Sequence, residues 1–456
     1  MRIPCVSRPA RRGQPRWNGG QGLTAKKAMV VDSPETPWRR AERGHHFLMI
    51  VKPKIRNNIC ITAHPSGCAL QVREQIEYVL RSWPSRGGES AGLDAAERLD
   101  RGDRPRAVLI GSSNGYGLAA RIAAAFGCGA STVGVAFEKP GVGARGGTRT
   151  GTAGWYNDRA FLLEAGRAGI PAWSVNGDAF SRETKAEVLA IAGRELGRVD
   201  LLVYSIASPR RTDPDTGAIY STAIKPIGGR FAAKTVDFLT GRVIEVSAEP
   251  ASDEETAHTV KVMGGEDWEL WVDALEDAGL LSQGFTTVAF SYIGPAVTSP
   301  IYREGTIGRA KAHLEATAEK LHARLRPFGG KALVSINKAL VTRASAVIPA
   351  VPLYVALLYR VMKAKGIHEG CVEQMVRLFR DYLCTGGPLR LDEKGRIRLD
   401  DLEMREDVQR EVASLWREVD TGNLPALADI EGFREEFLRH HGFAMEGIDY
   451  GADVEV

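Results

Sequence analysis

Two tyrosines and a lysine cluster in the stretch Phe290-Ser-Tyr-Ile-Gly-Pro-Ala-Val-Thr-Ser-Pro-Ile-Tyr-Arg-Glu-Gly-Thr-Ile-Gly-Arg-Ala-Lys311, around a glycine that reads as a helix start. A tyrosine hydroxyl is weakly acidic in water, with a reference pKa of about 10, and becomes a useful proton donor beside a developing oxyanion and a cation. Tyr302 and Lys311 are nine residues apart, which on one continuous helix sets them on opposite sides. Gly305 favours another arrangement, with Tyr302 in the entering loop, Thr306 capping the helix and Lys311 in an early turn. Tyr292 then approaches from the end of a strand over Phe285–Phe290. A bland reading stands beside this one: two core aromatics with satisfied hydroxyls and a solvated helix lysine.

A hydride donor has to be held next to such a group, and the chain carries a nucleotide-binding pattern upstream. Arg106–Ile110 reads as a strand, Gly111-Ser-Ser-Asn-Gly115-Tyr-Gly117 as a glycine turn, Leu118–Phe126 as a small-residue helix, and Ser131–Phe137 as a second strand ending at Glu138. The spacing differs from Gly-x-Gly-x-x-Gly, but the logic is shared: positions without side chains admit a pyrophosphate, and helix-start N–H groups face its charge. Glu138 is placed to accept hydrogen bonds from a ribose 2′-OH and to repel a 2′-phosphate, which favours NADH over NADPH. The competing role for Glu138 is a surface charge beside Lys139.

The remaining elements extend this layout into a doubly wound parallel sheet of the α/β class. Helices are expected over Asp158–Ala168, Ser181–Leu196, Glu266–Asp277 and Gly305–Leu325, and strands over Ile170–Val175, Val199–Ser205 and Lys331–Ile336. Residues 209–262 break the rhythm and read as an antiparallel excursion, with strand-like Ala218–Ile227 and Arg242–Val246. The acidic run from Ala248 to Glu255 reads as a solvated loop rather than a metal site. Trp268, Trp271 and Leu275 recur at helical spacing and are expected to anchor a helix in the core. The C-terminal third is mainly helical.

Of the 60 basic and 56 acidic residues, ten and three fall in residues 1–48, so the rest of the chain is slightly acidic and does not have the charge of a nucleic-acid-binding body. The 1–48 segment reads as a start assigned too early, a disordered basic tail, or a transit peptide; Met49, opening Met-Ile-Val-Lys, favours the first. The apolar segment Val347–Leu358 is too short to span a bilayer. Six sparse cysteines read as thiols in a reducing compartment.

Further motifs sharpen the picture: Ile61-Thr-Ala-His-Pro-Ser-Gly-Cys68, Gly151-Thr-Ala-Gly-Trp-Tyr-Asn157, Tyr204-Ser-Ile-Ala-Ser-Pro-Arg-Arg-Thr212 and Asn337-Lys-Ala-Leu-Val-Thr-Arg343. With Gly111–Leu118, Phe137-Glu138 and Phe290–Lys311, they make the chain resemble the trans-2-enoyl-thioester reductase family, which includes the large single-chain type of bacterial enoyl-acyl-carrier-protein reductase. The match runs over nearly all of residues 49–456, with a few extra residues at Gly143–Arg149.

The resemblance implies a Rossmann-like, extended short-chain-dehydrogenase-like fold with additional strands and helices over the active site. It implies one enoyl reductase domain over 49–456, with an NADH-binding core at about 105–345 and a helical C-terminal part. It also implies a Tyr-x8-Lys site in which Tyr302 donates the proton, Tyr292 contacts the acyl substrate and Lys311 contacts NADH. Further cofactor contacts are implied for Gly111, Ser112, Ser113, Asn114, Gly115, Tyr116, Gly117, Leu118, Phe137, Glu138, Asp178, Ala179, Ile206, Ala207, Leu340, Val341 and Thr342.

The activity so implied is NADH-dependent reduction of the trans-2 double bond of an enoyl thioester, the last reductive step of fatty acid elongation, without a metal. Its acyl carrier is an acyl carrier protein or coenzyme A, met by basic residues such as Arg210 and Arg211. A monomeric, cytoplasmic enzyme without a nucleic-acid partner or membrane span is expected. A 3-oxoacyl or other carbonyl reductase, and a nucleotide-sensing protein without turnover, are the alternative readings.

Overall fold

The apolar runs of the sequence become the strands of one central sheet. The computed structural model describes residues 29–30, 47–56, 58–83, 104–143, 149–342, 348–384 and 388–456. Seven strands, β1 (Arg106–Ile110), β2 (Ser131–Ala136), β3 (Ala172–Asn176), β4 (Val199–Tyr204), β5 (Leu281–Ser291), β6 (Lys331–Ile336) and β7 (Ile397–Arg398), run parallel in the spatial order β3-β2-β1-β4-β5-β6-β7. Met29–Val30 pairs antiparallel with β3 at the edge. The rest of the 1–48 segment up to residue 46, and residues 144–148 of the Gly143–Arg149 loop, lie outside the described residues.

The order reverses between β1 and β4, so the crevice beyond the carboxyl ends of those strands is where such a sheet binds a nucleotide. Both faces are covered, which is why its central strands are apolar throughout rather than alternating. Val108 and Ile110 of β1 join one buried cluster with α4 (Arg182–Ile191), α6 (Glu266–Asp277) and α7 (Thr306–Leu325). Ala107 and Leu109 point the other way, into a cluster with α2 (Gly115–Ile122) and α9 (Cys371–Leu378). On that side α1 (Pro65–Ser82) and α3 (Ala153–Arg167) pack over α2 through Val72, Ile76, Leu118, Ile122 and Phe161. Trp268, Trp271 and Leu275 are fully buried as the spacing predicts, and Trp268 Nε1 donates to Thr287 Oγ1 at 2.7 Å.

The excursion forms two antiparallel hairpins, Arg210–Thr212 with Ile219–Ser221 and Phe231–Asp237 with Arg242–Ala248. The strand expected over Ala218–Ile227 shrinks to three residues, because Ala223 and Lys225 instead tie the start of α7 through Thr306. The acidic run is also not all loop. Ser252 and Glu255 form a reciprocal capping box, and Asp253–Glu255 is the first turn of α5 (Asp253–Met263), where carboxylates suit the helix dipole.

The C-terminal part centres on α8 (Val351–Ala364), buried all round from Val351 to Tyr359, with α10 (Glu406–Glu418) and α11 (Ile430–Arg439) packed around it. Among the described residues no helix is long and apolar enough to cross a membrane. One cysteine expectation is overturned. Cys128, just past α2, and Cys384, just past the continuation of α9, are 256 residues apart and joined by a disulfide. Only the fold brings them together.

Candidate active site

The tyrosine-lysine stretch folds as a strand end, a tight turn and a helix start. β5 ends at Ser291, Tyr292 follows, and Tyr302 lies in the turn that precedes α7. The turn is closed by Tyr302 N–H donating to the carbonyl of Thr298 at 3.0 Å and by Gly308 N–H donating to the carbonyl of Tyr302 at 2.9 Å. A Cβ at Gly308 would lie 1.7 Å from the Arg303 carbonyl oxygen, so this reversal requires glycine. Lys311 occupies the second turn of α7 and donates to the Phe290 carbonyl at 3.3 Å, which joins the helix back to β5.

Thr306 does not cap α7. Gly305 holds the cap position without a side-chain bond. The Thr306 hydroxyl instead donates to the Ala223 carbonyl and accepts from the Lys225 N–H at 3.3 Å, while Thr306 N–H donates to the Lys225 carbonyl at 3.0 Å. The helix start is therefore fastened to the excursion rather than to itself.

Tyr302 is buried and Tyr292 half-buried, their rings edge-to-face with centroids 5.0 Å apart. Burial raises the hydroxyl pKa of both, and the Glu403 carboxylate adds to the rise. Burial also draws Lys311 down to about 8, against the pull of Glu315.

The glycine turn sits at the carboxyl end of β1. Gly111 has φ +84°, and a Cβ there would lie 2.1 Å from the Ser205 carbonyl oxygen; a Cβ at Gly117 would lie 1.9 Å from the Gly111 carbonyl oxygen. The turn is thus pressed against Ser205-Ile206-Ala207 at the end of β4. A Cβ on Gly115 meets only Thr342 Cγ2, at 4.0 Å, so a cleft separates the turn from Leu340-Val341-Thr342 beyond β6. Asn114 accepts from Gly115 N–H at 2.8 Å, and its buried Nδ2 has no partner among the described residues. A glycine-lined cleft with an orphaned donor at a helix start fits a pyrophosphate.

Glu138 follows β2 and turns toward the glycine loop, where the Ser113 hydroxyl donates to its Oε1 at 2.8 Å. Its backbone is held by Asn176, which accepts from Glu138 N–H at 2.8 Å and donates to the Glu138 carbonyl at 2.9 Å. Asn157 of the 151–157 motif donates to the Ser113 carbonyl at 3.1 Å. Phe137 is 76% exposed at the mouth of this corner. Asp178 and Ala179 lie just beyond β3, where Asp178 accepts from Phe180 N–H at 3.0 Å and the Ala179 carbonyl accepts from buried Lys185 at 2.8 Å. Ser112 and Leu118 are buried, and the Tyr116 hydroxyl donates to the Lys338 carbonyl at 2.8 Å.

Arg210 and Arg211 do not act as an exposed pair. Arg210 is exposed, but Arg211 is 1% exposed and its guanidinium donates to the Lys261 carbonyl at 2.8 Å and to Glu266 at 3.1 Å.

The model of the trans-2-enoyl-CoA reductase catalytic region matches residues 149–384. The chain belongs to that family. A model described as the NAD(P)H binding domain of trans-2-enoyl-CoA reductase matches residues 50–143 of this reductase, and one described as an enoyl reductase FAD binding domain matches 391–454. It is 53% identical over 406 residues to an enoyl-acyl-carrier-protein reductase (NADH) of Flavobacterium johnsoniae, covering 89% of this chain and 98% of that one. It is 51% identical over 408 residues to a trans-2-enoyl-CoA reductase (NADH) of Ruminiclostridium cellulolyticum, covering 90% and 98%. Its structure is similar to the crystal structure of Treponema denticola trans-2-enoyl-CoA reductase in complex with NAD, with a TM-score of 0.83 and 50% identity over 89% of this chain and 98% of that one.

The 391–454 segment of the reductase faces the glycine turn across a shared cavity. The cavity of about 570 Å³ that it borders is lined by Glu74, Glu77, Glu373, Glu435 and Glu436. The cations there are already paired, Arg439 with Glu74 at 2.6 Å, Lys363 with Asp429 at 2.6 Å and Arg81 with Glu77 at 3.7 Å. Asn114 and Gly115 of the glycine turn lie on the wall of this same cavity, so the segment borders the cleft that fits a pyrophosphate, and the lining does not single out a flavin.

Sequence reasoning missed the role of the C-terminal part in shaping the site. Ala339 N–H donates to Glu403 at 2.7 Å, Lys338 N–H to Gln374 at 3.0 Å, and Val341 N–H to the Tyr359 hydroxyl at 3.1 Å. His440 Nε2 donates to the Val341 carbonyl at 2.6 Å. With Tyr116, these groups fix five backbone atoms of the 338–341 strand extension. No short motif announces them, because each acts through a partner far away in sequence.

Proposed function

We propose that this reductase uses NADH to reduce the trans-2 carbon–carbon double bond of an enoyl thioester, with Tyr302 as proton donor, Tyr292 against the acyl substrate and Lys311 at the cofactor. The observation that carries the assignment is the edge-to-face Tyr292–Tyr302 pair with Lys311 bonded to the Phe290 carbonyl, on the strand that leads to Tyr292. Bound NADH supplies the hydride that the β-carbon receives. The protein's part is to stabilise negative charge on the thioester oxygen and to deliver a proton to the α-carbon. Burial keeps the Tyr302 hydroxyl protonated, the form a general acid needs.

The glycine turn would hold the pyrophosphate, with the remaining backbone of Gly111–Leu118 beneath it. Glu138 and Asp178-Ala179 would take the adenosine end beside exposed Phe137, while Ile206-Ala207, Leu340–Thr342 and Lys311 would line the nicotinamide end. A cavity of about 650 Å³ lined by Phe231, Ala233, Val297, Pro300 and Trp416 opens beside the tyrosine turn, with Arg230 and Lys234 also on its wall. It suits an acyl chain; Arg230 and Lys234 are matched on its wall by Glu245 and Glu304, so its charge does not choose between coenzyme A and an acyl carrier protein. We propose that the reductase works as a monomer and draws its NADH from the cytoplasm.

The deciding experiment follows NADH oxidation with a 2-enoyl thioester, crotonyl-CoA, and with a matched 3-oxoacyl thioester. Turnover of the enoyl substrate supports the proposal. Turnover confined to the 3-oxo substrate would replace it with a carbonyl reductase.

A further inference from the structure

Glu403 is fully buried in the turn before α10, 111 residues from Tyr292. Its Oε1 accepts the hydroxyls of Tyr292 at 2.9 Å and Tyr354 at 2.7 Å, and its Oε2 accepts Ala339 N–H at 2.7 Å. Gln409 braces the arrangement, donating to the Glu403 carbonyl at 2.7 Å and to the Tyr354 hydroxyl oxygen at 3.1 Å. A carboxylate only accepts, so the single hydroxyl hydrogen of Tyr292 is committed to Glu403 and its oxygen has only lone pairs left to offer. The Tyr302 hydroxyl has no such acceptor among the described residues. Two adjacent phenols are thereby made unequal in their hydrogen bonding. Ala339, on the other carboxylate oxygen, immediately precedes Leu340–Thr342 on the cofactor side of the cleft.

Resting on the reading of this site as an enoyl-thioester reductase, we propose that Glu403 is its positioning residue. Its carboxylate turns the Tyr292 hydrogen away from the substrate and ties Tyr292 to the cofactor loop at Ala339, leaving Tyr302 as the tyrosine of the pair that donates to the thioester oxygen. Burial raises the Glu403 pKa, and the buried Lys338, which donates to the Ala339 carbonyl at 3.0 Å, pulls it back toward the charged form.

Glu403→Gln tests this with little change of shape. The amide oxygen still accepts from Ala339, but the NH2 group faces the two hydroxyls and reverses the Tyr292 hydrogen. The expected result is a loss of about tenfold in kcat/KM for crotonyl-CoA, the scale of one hydrogen bond to a charged group, with NADH affinity within about twofold. In a Tyr292→Phe background the same substitution is expected to cost less than about twofold, because its route to the substrate is gone. Tyr354→Phe removes the other hydroxyl from the same carboxylate oxygen, controls for packing, and is expected to stay within about twofold of wild type.

Full activity in Glu403→Gln, an equal loss in both backgrounds, or an equal loss in Tyr354→Phe would each overturn the proposal. If Glu403→Gln does not fold, Glu403→Asp, which draws the charge back by one methylene, is compared in the same two backgrounds under the same criteria. A wild-type protein that leaves crotonyl-CoA unreduced overturns the functional reading instead, so the two failures are distinct.

Discussion

Tyr302 stands edge-on to Tyr292, with ring planes crossing at 74° and centroids 5.0 Å apart. Tyr302→Phe keeps this aromatic contact and removes only the hydroxyl. Turnover of crotonyl-CoA is expected to fall by about 100-fold or more, the usual scale of a lost general acid, while NADH affinity stays within about twofold. Steady-state kinetics and a fluorescence titration of NADH measure the two quantities. Near-wild-type turnover would reject Tyr302 as the donor.

Lys311 gives the reductase a pH signature. In the free protein burial holds its pKa at about 8, so the charged form that can serve the cofactor is lost as pH rises through that value. The KM for NADH is expected to climb above about pH 8, and Lys311→Met is expected to raise it at every pH and flatten the profile. Stability moves the opposite way. Between about 8 and the ordinary 10.5 the unfolded chain holds the extra proton, so this group's contribution to stability grows with pH. A flat NADH profile in the wild type across this range would remove Lys311 from the cofactor site.

The proposed site puts cofactor choice on Glu138, held at the glycine turn by the Ser113 hydroxyl. Removing its charge with Glu138→Gln is expected to narrow the NADH-over-NADPH preference in kcat/KM by about tenfold, since the repulsion of a 2′-phosphate is lost. Kinetics with both cofactors read this ratio, and an unchanged ratio would move the discrimination elsewhere.

The Cys128–Cys384 bond closes a long loop, so it restricts the unfolded chain strongly. Reduction is expected to lower unfolding stability by about 2–4 kcal/mol, and Cys384→Ser to show that loss from the start and no further response to reductant. Denaturant melts with and without reductant, alongside thiol titration, check it.

The sequence was most legible where local chemistry and local structure coincide. β1, α6 and β6 appear over the residues their patterns indicate, because an apolar run bounded by turns, or a Trp-Trp-Leu stripe, has few alternatives. The glycine turn and Glu138 were legible for the same reason. Thr306 misled because a hydroxyl at a helix start has two outlets, and here the Ala223 carbonyl and Lys225 N–H won. Arg211 looked like a surface charge but is buried against Lys261 and Glu266. Glu403, Tyr359 and His440 gave no signal, since a buried acid or histidine in a helical region acquires its role only from the distant backbone atom it meets.

The clamp on residues 338–341 also bears on how the protein is made. Tyr116, beside the glycine turn, reaches Lys338 across 222 residues, and His440 fastens Val341 from still nearer the C-terminus. During translation the first strands and the glycine turn leave the ribosome long before those fasteners, although chains fold broadly from the N-terminus. A nascent chain can therefore assemble the early half of the sheet, yet the wall facing Gly115 is secured only when almost the whole polypeptide has emerged. Competence to hold the dinucleotide arrives at the end of synthesis.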